Sequence, residues 1–176
     1  MMKKINLWIG SAMLGALTLQ PALAGTGLTA ELGQTSDSEM VYRLGMQFDF
    51  GQPLWQSDSG SIGLHGYWDA GVTRWDSEDA TSVSITPVFQ LRFGQGGGAI
   101  PFLEAGIGAA WFSETDLEGA GRDLGSAFQF EDMIGAGLRF NAGSQAGVRA
   151  YHYSNAGIKD PNQGINKVAL YYRLAI

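Results

Sequence analysis

Residues 39–50 read EMVYRLGMQFDF. Met40, Tyr42, Leu44, Met46, Phe48 and Phe50 fall on one parity, and Val41, Arg43, Gly45, Gln47 and Asp49 on the other. A period of two is the side-chain period of a β-strand, so this segment is a strand with one apolar and one polar face. Which face looks outward decides between a soluble barrel and a membrane barrel.

The same pattern recurs along the chain. In 61–75, SIGLHGYWDAGVTRW, Ile62, Leu64, Trp68, Ala70 and Val72 oppose His65, Asp69 and Thr73. Segments 82–93 (SVSITPVFQLRF) and 101–112 (PFLEAGIGAAWF) alternate in the same way. So does 128–140, FQFEDMIGAGLRF, except that Asp132 stands on the apolar parity, where we expect a bulge or a loop end. With GLTAELG before them and two C-terminal segments after, the strands number eight, separated by Gly- and Asp-rich stretches. An even count, a dyad period and 26 glycines fit an all-β, eight-stranded antiparallel barrel. The apolar parity carries Met, Phe, Leu, Trp and Tyr on nearly every strand. The other holds charges of mixed sign that can pair inside: Arg43, Asp49, Asp69, Arg92, Glu104, Glu131, Arg139, Arg149 and Arg173. That is the transmembrane, outer-membrane pattern; a soluble periplasmic barrel is the alternative. His65 lies on the interior parity and is expected to partner Asp69 or Glu104.

Residues 1–24 read as a removed signal peptide. Lys3 and Lys4 precede an apolar run from about Ile5 to Leu19, and Ala22-Leu23-Ala24 supplies the small residues before a cut after Ala24. The single domain is then 25–176, bound for the bacterial outer membrane. Without the two leader lysines the chain has 9 basic and 17 acidic side chains, a net charge of −8. Phosphate binding needs a basic patch, so nucleic acid is not an expected partner. The chain has no cysteine, which excludes disulfides and thiolate metal sites. GQGGG, 94–98, is a turn, since no lysine lies within it and no helix follows.

The C-terminal stretch 147–176, GVRAYHYSNAGIKDPNQGINKVALYYRLAI, carries the chemistry. Val148, Ala150, His152 and Ser154 share a parity opposite to Arg149, so an imidazole and a hydroxyl should face lipid near the rim. Polar groups there usually mark function. Counting back from Ile176 places Asn166 on the same face. A hairpin pairing Ser154 with Asn166 would set His152 opposite Val168, with Asn166 diagonal to the imidazole. Hydroxyl, imidazole and an orienting third group are the parts of nucleophilic acyl transfer. Asn155 and Gly157 are the candidate oxyanion donors. On such a face the substrate is itself a lipid.

The chain resembles the lipid A 3-O-deacylase (PagL) family in YRLGMQFDF, GYWDAGVTRW, PFLEAGIGAAWFS, FEDMIGAGLRF and, most specifically, GVRAYHYSNAGIKDPNQGI. The resemblance implies an outer-membrane esterase acting on lipid A of lipopolysaccharide from the outer wall of an eight-stranded barrel. It implies that His152 and Ser154 are catalytic, that Asn155 serves the oxyanion hole, and that neither metal nor organic cofactor is required. It leaves a homodimer open. The family's third residue is a glutamate twelve positions after the serine, where this chain has Asn166. Either Asn166 serves in its place, or the loop carboxylate Asp160 takes the role, or this member is a weak or inactive structural barrel or adhesin.

Overall fold

A computed structural model describes residues 25–76, 79–95, 97–118 and 121–176. The leader of residues 1–24 lies outside the described residues. Eight long strands form the wall: β1 (Thr26–Thr35), β2 (Met40–Asp49), β3 (Ile62–Trp75), β4 (Ala80–Phe93), β5 (Ile100–Phe112), β6 (Phe128–Arg139), β7 (Gln145–Ser154) and β8 (Ile165–Ala175). Each pairs antiparallel with its chain neighbour, and β1 and β8 pair antiparallel to close the barrel. Strands of 10 to 14 residues are long enough to cross a bilayer core when tilted. Two-residue strands add a short edge at Trp55–Gln56 and a ribbon of Asp116–Leu117 with Arg122–Asp123.

The alternation read in the sequence is a real partition of faces. Leu44 is 70% exposed, whereas its neighbour Arg43 is 2% exposed. Tyr42, Met46 and Phe48 point outward, as do Leu103, Ile107, Ile134, Leu170 and Leu174 on other strands. A continuous outward apolar belt of this size would be unstable against water and is matched by lipid.

The interior is packed with paired charges. Arg149, fully buried, donates from Nε to Glu104 at 2.8 Å, from Nη1 to Glu31 at 2.9 Å and Asp69 at 3.2 Å, and from Nη2 to the Tyr67 hydroxyl at 2.9 Å. Arg43 joins the same two acids, Glu31 and Asp69. The arginine stems need room in a narrow barrel: a Cβ added at Gly71 would stand 2.4 Å from the Arg43 guanidinium carbon. Glycine on the polar parity is thus the space that lets Arg43 lie across the lumen.

His65 does face inward, but neither predicted partner is available to it. Asp69 is taken by Arg43, Arg149 and Gln47, and Glu104 by Arg149, Tyr67 and Gln90. The bulge or loop end expected at Asp132 is absent, since Asp132 lies inside β6. The β5–β6 and β6–β7 registers run through it without interruption, pairing Asp132 with Ile107 on one side and His152 on the other.

Candidate active site

β7 ends at Ser154 and β8 begins at Ile165, so residues 155–164 form the loop between them, at the barrel end opposite to both termini. Beneath the outer wall, the inward side chains of β7 are immobilised by aromatic packing. Tyr153 is buried, donates to Glu131 at 2.9 Å, and stands edge-on to Trp75 and Phe112. Tyr151 donates to Glu31 at 2.8 Å and lies under the Lys167 ammonium, 4.0 Å from its ring centre. Because strand residues alternate, fixing Tyr151 and Tyr153 inward fixes His152 and Ser154 outward.

The hairpin register differs from the expected one by two residues. His152 pairs directly with Asn166, and Val168 with Ala150. The parity is unchanged, but Asn166 now stands beside the imidazole, not diagonal to it. His152 Nδ1 and Asn166 Oδ1 are 2.7 Å apart, with both side chains exposed on the outer wall. An amide oxygen accepts only, so Nδ1 carries the proton and Nε2 presents its lone pair. Ser154 lies two residues along the same face, about 7 Å between Cα atoms at the strand rise. It is half-buried, pairs with Phe130 of β6, and its hydroxyl makes no hydrogen bond among the described residues. Nucleophile and base often tighten only when substrate is bound.

The loop is organised around Asn155, which is fully buried. Its Oδ1 accepts from the Gly157 N–H at 2.9 Å; its Nδ2 donates to the Leu124 carbonyl at 3.0 Å and the Lys159 carbonyl at 2.7 Å; its own N–H donates to Asn162 Oδ1 at 3.0 Å. The two candidate oxyanion donors therefore hold internal acceptors in this structure. Asp160 is exposed and makes no hydrogen bond or ion pair through its side chain among the described residues. Of the two candidates for the third position, the fold brings Asn166 to the imidazole.

A groove of about 900 Å³ opens on the wall beside His152. It follows two cross-strand rows. One runs Ile107, Asp132, His152, Asn166; the other runs Phe89, Ala105, Ile134, Ala150, Val168. The small side chains of Ala105 and Ala150 make the depression, and Pro87, which interrupts the β4–β5 ladder, closes one end. Sequence reasoning missed both the groove and Asp132. The only signal for Asp132 was its wrong parity. Among the described residues no cluster of His, Asp and Glu could hold a metal ion.

Comparison with known proteins gives a consistent picture. Residues 40–175 match the family described as lipid A 3-O-deacylase (PagL). The chain is 44% identical to a lipid A deacylase PagL from Pseudomonas aeruginosa, over 99% of this chain and all of that protein. It is 38% identical to one from Bordetella bronchiseptica, over 59% of this chain and 58% of that protein. Its structure is similar to the crystal structure of the outer membrane enzyme PagL, with a TM-score of 0.80 at 47% identity, covering 85% of this chain and 99% of that one.

Proposed function

The chain belongs to the lipid A 3-O-deacylase family, and from that premise we propose that it removes the 3-O-linked acyl chain of lipid A in the outer membrane, with Ser154, His152 and Asn166 as its catalytic constellation. It is an ester hydrolase in an outer-membrane barrel, and its substrate is lipid A of lipopolysaccharide. The observation that carries the assignment of residues is the Nδ1 to Oδ1 contact of 2.7 Å between His152 and Asn166 on the exposed outer wall.

Ser154 Oγ attacks the ester carbonyl while His152 Nε2 takes its proton. The tetrahedral intermediate collapses, the bond to the sugar oxygen breaks, and the imidazolium returns its proton to that oxygen. Water then hydrolyses the acyl-enzyme by the same route. Asn166 holds the Nδ1–H tautomer throughout. Asn155 and Gly157 are the proposed donors to the oxyanion, each exchanging its loop acceptor for the substrate oxygen. The apolar groove receives the acyl chain, because it begins at His152 and is lined by Ile134, Ala150 and Val168. All three catalytic side chains come from one barrel, so the chemistry asks for no second copy. Residues 1–24 serve as the export signal in this reading.

Mass spectrometry of lipid A from a host expressing the protein tests the proposal. The wild type should remove one 3-hydroxyacyl chain, and Ser154→Ala should not. Activity retained in Ser154→Ala would refute the nucleophile. The reading that competes is a disabled member, favoured by the amide at position 166; it predicts that only Asn166→Glu releases the chain.

A further inference from the structure

Asp132 is the one outward carboxylate in the row that crosses the site. β6 aligns it directly with His152 of β7, and β8 aligns Asn166 with the other side of the same histidine. Cross-strand neighbours on one face have Cβ atoms about 5 Å apart. Asp132 is half-buried, lines the groove together with His152 and Asn166, and makes no hydrogen bond or ion pair among the described residues. Its other flank is Ile107. A carboxylate on a lipid-facing wall is costly, and such a residue ordinarily has a partner that gives it a purpose.

Asn166 can fix the tautomer of His152, but it has no charge with which to stabilise the imidazolium that forms when Ser154 loses its proton. We infer that Asp132 supplies that charge from the neighbouring strand, so that the work of one acidic residue is divided here between two: Asn166 orients the ring and Asp132 stabilises its protonated state. This rests on the esterase reading above. Asp132 takes no part in bond making or breaking; it acts through His152, as a positioning and electrostatic residue. Proton and electron accounting is unaltered. The proton moves from Ser154 Oγ to His152 Nε2 and on to the leaving sugar oxygen, and Asp132 takes no part in the transfer.

The other charged groups near His152 do not fill this role. Glu131 of β6 and Lys167 of β8 are buried on the inner face, Glu131 accepting from Tyr153 and Thr86. In the loop, Gly164 is the residue against the ring, and Lys159 and Asp160 are exposed with no side-chain bond to it.

The test uses the folded full barrel in detergent micelles, with lipopolysaccharide bearing 3-O-linked hydroxyacyl chains, and measures released hydroxy fatty acid. Asp132→Asn should lower kcat about tenfold with KM within about twofold, since the charge acts on the transition state and not on binding. Asp132→Glu should retain most activity. In an Asn166→Glu background, where charge arrives from β8, Asp132→Asn should cost only about twofold. A kcat within twofold of wild type in Asp132→Asn, a loss confined to KM, or the same loss in both backgrounds would each overturn the inference. So would a wild type inactive until Asn166→Glu is introduced, since Asp132 then fails to compensate while the family chemistry stands. An active Ser154→Ala variant would instead overturn the esterase reading itself.

Discussion

The imidazole of His152 and the amide of Asn166 are joined at 2.7 Å across a direct cross-strand pair on the outward face of the barrel. The bond leaves Nε2 as the basic nitrogen. Asn166→Ala should therefore lower kcat by about ten- to a hundredfold, by freeing the ring to adopt the wrong tautomer and rotation. Asn166→Glu should raise kcat a few-fold at most, because Asp132 already places a charge beside the ring. Both are read as released hydroxy fatty acid per folded barrel.

Gly164 supports that geometry from the loop. Its φ is +62°, and an added Cβ would lie 2.8 Å from the Tyr153 carbonyl oxygen and 3.2 Å from His152 Cε1. Gly164→Ala combines left-handed strain of about 1–2 kcal/mol with pressure on the imidazole. Activity should fall about tenfold or more while heat-modifiable gel mobility, which reports the folded barrel, stays that of the wild type.

Asn155 closes the loop on the rest of the outer end. Its amide bridges Leu124 of the β5–β6 connection, Gly157 and Lys159. Asn155→Ala leaves the buried Leu124 carbonyl unpaired, at about 1–3 kcal/mol, and releases the Gly157 N–H and Lys159 carbonyl to solvent. Asn155→Asp keeps the acceptor for Gly157 but turns a carboxylate toward two carbonyls. Both variants should be inactive, and limited proteolysis should cut 155–164 faster in each. Wild-type cleavage rates alongside lost activity would assign Asn155 to the oxyanion alone.

These residues mark what could be read from the chain and what could not. The faces were legible because a strand's period is two: Leu44 outward and Arg43 inward follow from counting. Register was not. Pairing Ser154 or His152 with Asn166 differs by two residues, and a shift of two preserves every face. What selects between them is the path of the loop, stitched by Asn155 and Asn162 over a distance that parity cannot measure. Asp132 was legible as an exception and misread as a bulge or a loop end. The backbone is regular there, and the exception lies in the chemistry of the side chain. The groove was illegible because it arises from Ala105 and Ala150 on non-adjacent strands, brought into one row by the registers of β5, β6 and β7.

The groove gives a prediction of its own. Ala150 pairs with Ile134 and Val168, and its methyl group sits at the floor beside the site. Ala150→Leu fills that floor without adding a polar group, so the barrel should fold normally in lipid. With a set of lipopolysaccharides differing in 3-acyl length, kcat/KM should drop about tenfold for long chains and little for short ones. An equal drop for all lengths would place the acyl chain elsewhere.

The interior pairs set the stability on which the outer wall depends. Arg149 is the hub of Glu31, Asp69, Glu104 and Tyr67, and all five side chains are buried. Arg149→Ala would leave Glu104 with no ion-pair partner among the described residues, and Glu31 and Asp69 with only Arg43 and, for Glu31, Lys167. Removing one member of such a buried network costs about 3–5 kcal/mol, more than any substitution on the lipid face discussed above. Urea unfolding in detergent should move to markedly lower denaturant for Arg149→Ala. Asp132→Asn, which removes an unpaired charge from the outer wall, should unfold at or above the wild-type midpoint. That opposition separates the two acidic environments of the barrel: the inner acids are needed for folding, and the outer one is retained against its cost in lipid for the chemistry beside it.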